Sequence, residues 1–129
     1  MSTTNEVLDQ HLKCFGENDL DGVVADYSSD VVFFIPGGSL KGPIAIKSFF
    51  QTLLSEFAKP GASFSMRQQS VEGDYAYILW SAETADNSYE DATDTFVVRD
   101  GKIVAQSFAA KITPKHLTAS PARWLLPCL

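Results

Sequence analysis

Two periodicities divide the chain. From Thr4 to Glu17 the apolar residues Val7, Leu8, Leu12 and Phe15 recur at helical spacing with His11 among them, and Ser2, Thr3, Thr4 and Asn5 offer an N-cap. Gly16-Glu17-Asn18 ends this helix. Asp19 caps a second, short helix through Val23, Val24 and Tyr27, which stops near Ser28-Ser29-Asp30. The β-branched and aromatic run from Val31 to Ile35 reads as a strand, broken by Pro36-Gly37-Gly38. Gly42-Pro43 opens a third helix, with Ile44, Ile46, Phe49, Phe50, Leu53, Leu54 and Phe57 as a broad apolar face. After Lys59-Pro60-Gly61 the period becomes two. Ala62 to Val71, Tyr75 to Thr84 and the two arms around Asp100-Gly101 read as four strands of an antiparallel meander, and Asp-Gly is a strong hairpin signal. Helices segregated from a curved antiparallel sheet make an α+β layout.

One residue breaks the pattern. On a period of two, Asp94 shares a face with Phe96 and Val98 and points into the core. A carboxylate placed there costs stability unless it has partners or a task. The same parity puts Gln106 and Phe108 on one face of the last strand, Ile78, Trp80 and Ala82 on one face of the strand before the hairpin, and Phe64, Met66 and Gln68 on one face of the strand before that. Tyr75 and Tyr77 then face outward.

Composition narrows the function classes. At 129 residues the chain is one domain by length, long enough to bury a core without staples. Its net charge of -6, with Lys and Arg scattered, opposes nucleic-acid and anionic-membrane surfaces. Cys14 and Cys128 match no metal or redox spacing and read as free thiols, Cys14 as a small buried residue. No apolar run approaches the about 18 residues of a membrane span, and the first residues lack the features of a secretory signal, so a cytoplasmic location is expected. No metal site, phosphate-cradling loop or nucleophile elbow is visible. From Thr113 the three prolines at 114, 121 and 127 predict an irregular tail over 113–129, in which Trp124, Leu125 and Leu126 favour docking on the body or on a partner, with a loose tail as the alternative.

The segments NDLDGVVADYSSDVVFFIPGG, KGPIAIKSFF and DTFVVRDGKIVAQSF resemble the nuclear transport factor 2-like superfamily, and within it the SnoaL-like polyketide cyclases and ketosteroid isomerases. The resemblance spans roughly Glu6 to Lys111, so residues 1–112 are taken as one SnoaL-like domain. It implies a cone-shaped curved sheet, antiparallel or mixed, wrapped around three N-terminal helices, with a pocket at the wide end and a homodimer as the usual assembly. Because this superfamily hosts many reactions, it implies fold more firmly than chemistry.

The resemblance also places residues. His11 falls where the isomerases carry a tyrosine that hydrogen-bonds the substrate oxygen, and Asp94 where they carry a protonated aspartic acid. A His–Asp pair would form an ion pair or proton relay in place of two neutral donors. The isomerases' general base corresponds to Ile35, and a second tyrosine to Phe50, which speaks against steroid isomerisation. The cyclases, which are understood to use a single acidic residue as acid and base, fit better. The reading is therefore a cofactor-independent isomerase or cyclase with Asp94 and His11 as catalytic pair. Tyr27 (from the second helix), Trp80, Gln106, Phe108, Gln68, Met66, Phe50 and Ile35 would surround a small apolar carbonyl ligand. The alternative is a binding or dimerisation module with the His–Asp pair as a buried structural ion pair; a protein-interaction adaptor is a third.

Overall fold

The structure is a computed structural model that describes residues 2–115. Its elements run α1 (Thr4–Gly16), α2 (Leu20–Ala25), β1 (Tyr27–Ile35), β2 (Gly38–Lys41), α3 (Gly42–Phe57), β3 (Ser63–Glu72), β4 (Tyr75–Glu83), β5 (Asn87–Arg99) and β6 (Lys102–Pro114). Together they form an α+β fold with three helices and an open, curved six-stranded sheet, ordered β2-β1-β6-β5-β4-β3. All strand pairs are antiparallel except β1 and β6, which run parallel.

Local chemistry explains the helix ends. Thr3 Oγ1 accepts from the Glu6 amide while Glu6 Oε1 accepts from the Thr3 amide, a reciprocal cap that satisfies two donors at once. Asp19 caps α2 through the Gly22 amide at 3.0 Å. A Cβ at Gly22 would lie 2.7 Å from Cys14 Sγ, so only glycine lets α2 close this tightly on α1. Pro43 sits in the first turn of α3. In the β5–β6 hairpin, Asp100 and Gly101 take φ of 52° and 76°, the two left-handed positions that a two-residue turn of matching twist requires.

Three boundaries differ from the sequence reading. Tyr27 belongs to β1, not to the second helix: its spacing from Val23 and Val24 fits both, but pairing with Ile103 of β6 fixes it as extended. Gly38, read as the end of a break, and residues 39–41, given no element, form the short edge strand β2, folded back on β1. Thr113 and Pro114, read as the start of a tail, close β6 opposite Ser88 and Asn87. Residues 116–129 of the predicted tail, with His116, Trp124, Leu125, Leu126 and Cys128, lie outside the described residues.

The core lies between the helices and one face of the sheet, with Leu8, Val23, Val31, Phe33, Ile46, Tyr89, Phe96 and Ile103 almost fully buried. Within it sits a second carboxylate, Glu56 of α3, only 2% exposed. Thr84 Oγ1 donates to Oε2 at 2.6 Å, Asn87 Nδ2 to Oε2 at 3.0 Å, and the Tyr89 hydroxyl reaches both oxygens at 2.9 and 2.8 Å. Burial, and next the Glu56 charge, push the Tyr89 phenol up, so it stays a donor. This cluster pins the C-terminal half of α3 to the β4–β5 turn. Truncating Glu56→Ala would strand three buried donors and is expected to cost on the order of 3 kcal/mol or more in urea unfolding, with Tyr89→Phe costing about 1 kcal/mol.

Candidate functional site

A cavity of about 570 Å³ opens between α1, α3 and the inner face of the sheet. The exposed lining residues Glu17, Asn18, Ala58, Ala62 and Ser63 mark its mouth. One wall is a run of rings from three strands: Phe64 lies 5.3 Å from Trp80, and Trp80 lies 6.0 Å from Phe108 with planes 22° apart. Phe33, Phe49 and Phe50 form the facing wall. Polar groups are few and gathered at the inner end: His11, Asp94 and Gln106.

Asp94 stands on β5, 7% exposed, flanked in register by Ile78 of β4 and Phe108 of β6. Trp80 Nε1 donates to Oδ2 at 2.8 Å and Gln106 Nε2 donates to Oδ1 at 2.9 Å. Burial pushes its pKa from the ordinary 3.8 up to about 6, opposed by the Trp80 and Gln106 hydrogen bonds and by the charge of His11. Two donors leave a carboxylate with acceptor capacity to spare, here on the side of the cavity.

His11 lies in the same lining but not against Asp94. Its Nε2 is 3.5 Å from the Tyr27 hydroxyl, which donates to Gln106 Oε1 at 2.6 Å. The sequence reading paired His11 directly with Asp94; the structure interposes Tyr27 and Gln106. The nearest carboxylate to His11 is Asp26, the C-cap of α2, whose Oδ2 is 3.4 Å from Nδ1. Neither atom has a hydrogen-bond partner, so the two face each other in a buried contact without the alignment of a hydrogen bond. Rings of Tyr27, Phe50 and Phe96 meet the imidazole edge-on at 5.5 to 5.8 Å. Burial, then the charges of Asp94 and Asp26, hold the Tyr27 phenol well above its usual range.

Of the other residues expected around a ligand, Trp80, Phe108, Gln106 and Phe50 line the cavity. Tyr27 lies behind it, reaching it through Gln106. Three expectations fail. Gln68 points to solvent, because a register shift after Met66 pairs it with Leu79, which faces outward, and its amide bonds Ser70. Met66, opposite Trp80, packs half-buried against the core outside the lining. Ile35 ends β1 at the turn to β2, one step past Phe33, which supplies the lining from that strand. Asp26 was missed: it lies on the outer turn of a short helix, and only the approach of α1 to the start of β1 brings it to His11. Cys14 is buried, with burial and then Asp26 pushing its thiol up, and accepts from Gln10 Nε2 at 3.1 Å. Among the described residues no group of His, Cys, Asp and Glu is arranged to hold a metal ion, and no helix is long and apolar enough to cross a membrane.

The raised pKa of Asp94 makes stability depend on pH. Between about pH 4 and pH 6 the folded chain keeps a proton that the unfolded chain has lost, so stability falls as pH rises through this window, by a total on the order of 3 kcal/mol. Asp94→Asn removes this loss. The variant is expected to equal the parent in urea unfolding at pH 4 and to exceed it at pH 8; an equal difference at both values would contradict the burial argument.

The architecture has many counterparts. An NTF2-like protein of unknown function from Mesorhizobium loti shares it at a TM-score of 0.72 and 24% identity, over 84% of this chain and 90% of that one. A candidate ketosteroid isomerase from Kribbella flavida does so at 0.69 and 13%, over 91% and 84%. A candidate polyketide cyclase from Sinorhizobium meliloti does so at 0.64 and 18%, over 80% and 93%. At such identities the likeness is one of fold. No curated protein matches the sequence. The family model for the SnoaL-like domain, however, matches residues 8–106, a span that begins just before His11 and ends on Gln106 and so contains every member of the polar network. This chain belongs to the SnoaL-like domain family.

Proposed function

We propose that the protein is a cofactor-independent isomerase or cyclase that moves a proton on a flat, apolar carbonyl compound, with Asp94 as its acid and base. The observation that carries the reading is a buried carboxylate, fixed by Trp80 and Gln106, that faces an aromatic-walled cavity with unused acceptor capacity. An apolar wall orients a planar ligand by ring contact, and the few polar groups at the inner end set which way its carbonyl points. Above about pH 6 Asp94 is ionised and can take a proton from the carbon beside the carbonyl; the neutral acid then returns it at another position. His11, 3.4 Å from Asp26 and at the same inner end of the cavity, is the second polar group placed near the reacting carbonyl.

The outer face of the sheet supports a homodimer. Strand parity places Leu79, Thr93 and Ala109 there in one row, Tyr77, Thr95, Ser107 and Phe34 in the next, and Tyr75, Val97, Ala105 and Val32 in a third. None of these is charged in a chain of net charge -6, and Phe34 and Tyr75 are each 55% exposed. Such a patch fits a second copy of itself.

Two measurements test these readings. Incubated in D₂O with polycyclic or aryl ketones and followed by NMR, the protein is expected to exchange α-protons at a rate that rises with pH and levels off above about pH 6. Asp94→Asn should lower that rate by about 10²-fold or more; exchange that survives the substitution rejects Asp94 as the base. In sedimentation the protein should run as a dimer, and Tyr77→Glu with Val97→Glu should yield a folded monomer.

A further inference from the structure

The charges around the cavity are as one-sided as its walls are apolar. No lysine or arginine lines it, and its two carboxylates stand at opposite ends: Asp94 at the inner end and Glu17, the C-cap of α1, exposed at the mouth. The lysines beside the mouth in sequence or register are spent elsewhere. Lys59, next to Ala58, bonds Asp86 at 2.7 Å, and Lys115 bonds Glu83 at 2.9 Å, the residue paired with Ser63 of the mouth. Lys13 lies one turn before Glu17 on α1, but it is outside the lining and no ion pair joins the two. At the inner end His11 faces Asp26 at 3.4 Å, so its ring, charged or not, leaves no uncompensated cation there.

The ring wall gives the cavity a direction. Phe64 follows Ser63 at the mouth and is 46% exposed; Trp80 comes next at 5.3 Å, and Phe108, 6.0 Å from Trp80, sits opposite Asp94 in register. A flat ligand lying on these rings with its carbonyl at Asp94 brings its outer end to the mouth, where Glu17 stands. We infer that Glu17 is a specificity-determining residue, and that the substrate is a flat carbonyl compound whose outer end bears an amino or hydroxyl group and not a carboxylate or phosphate.

The substrate class rests on the function proposed above; the preference for charge does not. An anionic ligand meets like charge whichever way round it enters, against Asp94 at the inner end or against Glu17 at the mouth. The two ends differ in strength. Asp94 is buried among rings, where water screens little, and a ligand carboxylate beside it loses about 10-fold or more in affinity. Glu17 is in water and open to salt, so its effect on a charged outer group is about threefold in either direction. A hydroxyl or ammonium there finds a carboxylate with no competing partner. The net charge of -6 draws cations and repels anions on approach, in the same sense.

Acetylnaphthalenes that differ only at the far ring position, bearing an aminomethyl, a methyl or a carboxylate group, test this by titration calorimetry at low salt and about pH 8, where Asp94 is ionised. Affinity is expected to fall in that order, by about threefold per step, and the spread to shrink as salt is added. Glu17→Gln, a change to an exposed side chain that holds nothing in the fold, should bring the amine and the carboxylate together, and Glu17→Lys should reverse them. At the inner end naphthoate should bind about 10-fold or more weakly than unsubstituted acetylnaphthalene, a gap that Asp94→Asn narrows. Equal affinity across the far-ring set, or an order that Glu17→Gln leaves unchanged, overturns the inference. So does failure of the uncharged form to bind in scaffolds of two, three and four rings. The charge order with no α-proton exchange rejects the proposed reaction and upholds the selectivity. Exchange that Asp94→Asn abolishes, in a protein with no charge order, does the reverse.

Discussion

The site depends on burying one carboxylate without neutralising it by a cation. Asp94 has no Lys or Arg beside it; what keeps its charge tolerable are two neutral N–H groups, from Trp80 and Gln106. Charge-dipole bonds of this kind recover part of the desolvation cost, not all of it, and the remainder appears as a pKa near 6. A lysine partner would have driven the group to permanent ionisation, and a wholly apolar site to permanent neutrality. The intermediate arrangement leaves it able to change state near neutral pH, which acid–base chemistry requires.

Comparison with Glu56 makes the point sharper. Both carboxylates are buried, and both are met by neutral donors on neighbouring strands. Glu56, however, is enclosed by Thr84, Asn87 and the bridging Tyr89 hydroxyl, so its acceptor capacity is spent on holding α3 to the sheet. Asp94 is served from two sides and open on a third. What distinguishes the proposed catalytic carboxylate from the structural one is therefore unspent hydrogen-bond capacity next to a cavity, not burial.

How much of this could be read from the residues depended on how local each cause was. The hairpin at Asp100-Gly101, a cap among residues 2–5 and another at Asp19, and the inward parity of Trp80, Asp94, Gln106 and Phe108 follow from turn chemistry and period, and all stand in the structure. The failures lie where tertiary pairing overrides a local pattern. Tyr27 fits a helix by spacing but is drawn into β1 by Ile103. Gln68 fits the inner face by alternation until a bulge reverses parity after Met66. Asp26 and Glu56 gave no signal at all, since an acidic residue at a helix end is ordinarily solvated. The resemblance named the right fold and brought His11 and Asp94 into one cavity, but it could not show that Tyr27 and Gln106 stand between them.

Those two intervening residues also bear on which reactions the site can support. A mechanism with separate base and acid needs a second carboxyl or phenol against the ligand, and the places nearest to supplying one are taken by Phe33 and Phe50, while Ile35 lies past the lining. Tyr27 has the hydroxyl such a mechanism would want, but it is turned into the network behind the cavity and holds Gln106. On the proposed function the chemistry would thus reduce to one carboxyl acting twice, as base and then as acid. For that to work the proton must stay on Asp94 long enough to be returned, and a cavity walled mostly by rings offers it few other acceptors. On that reading a wall of rings would favour return of the proton over its loss, and would serve the proposed reaction as much as the binding.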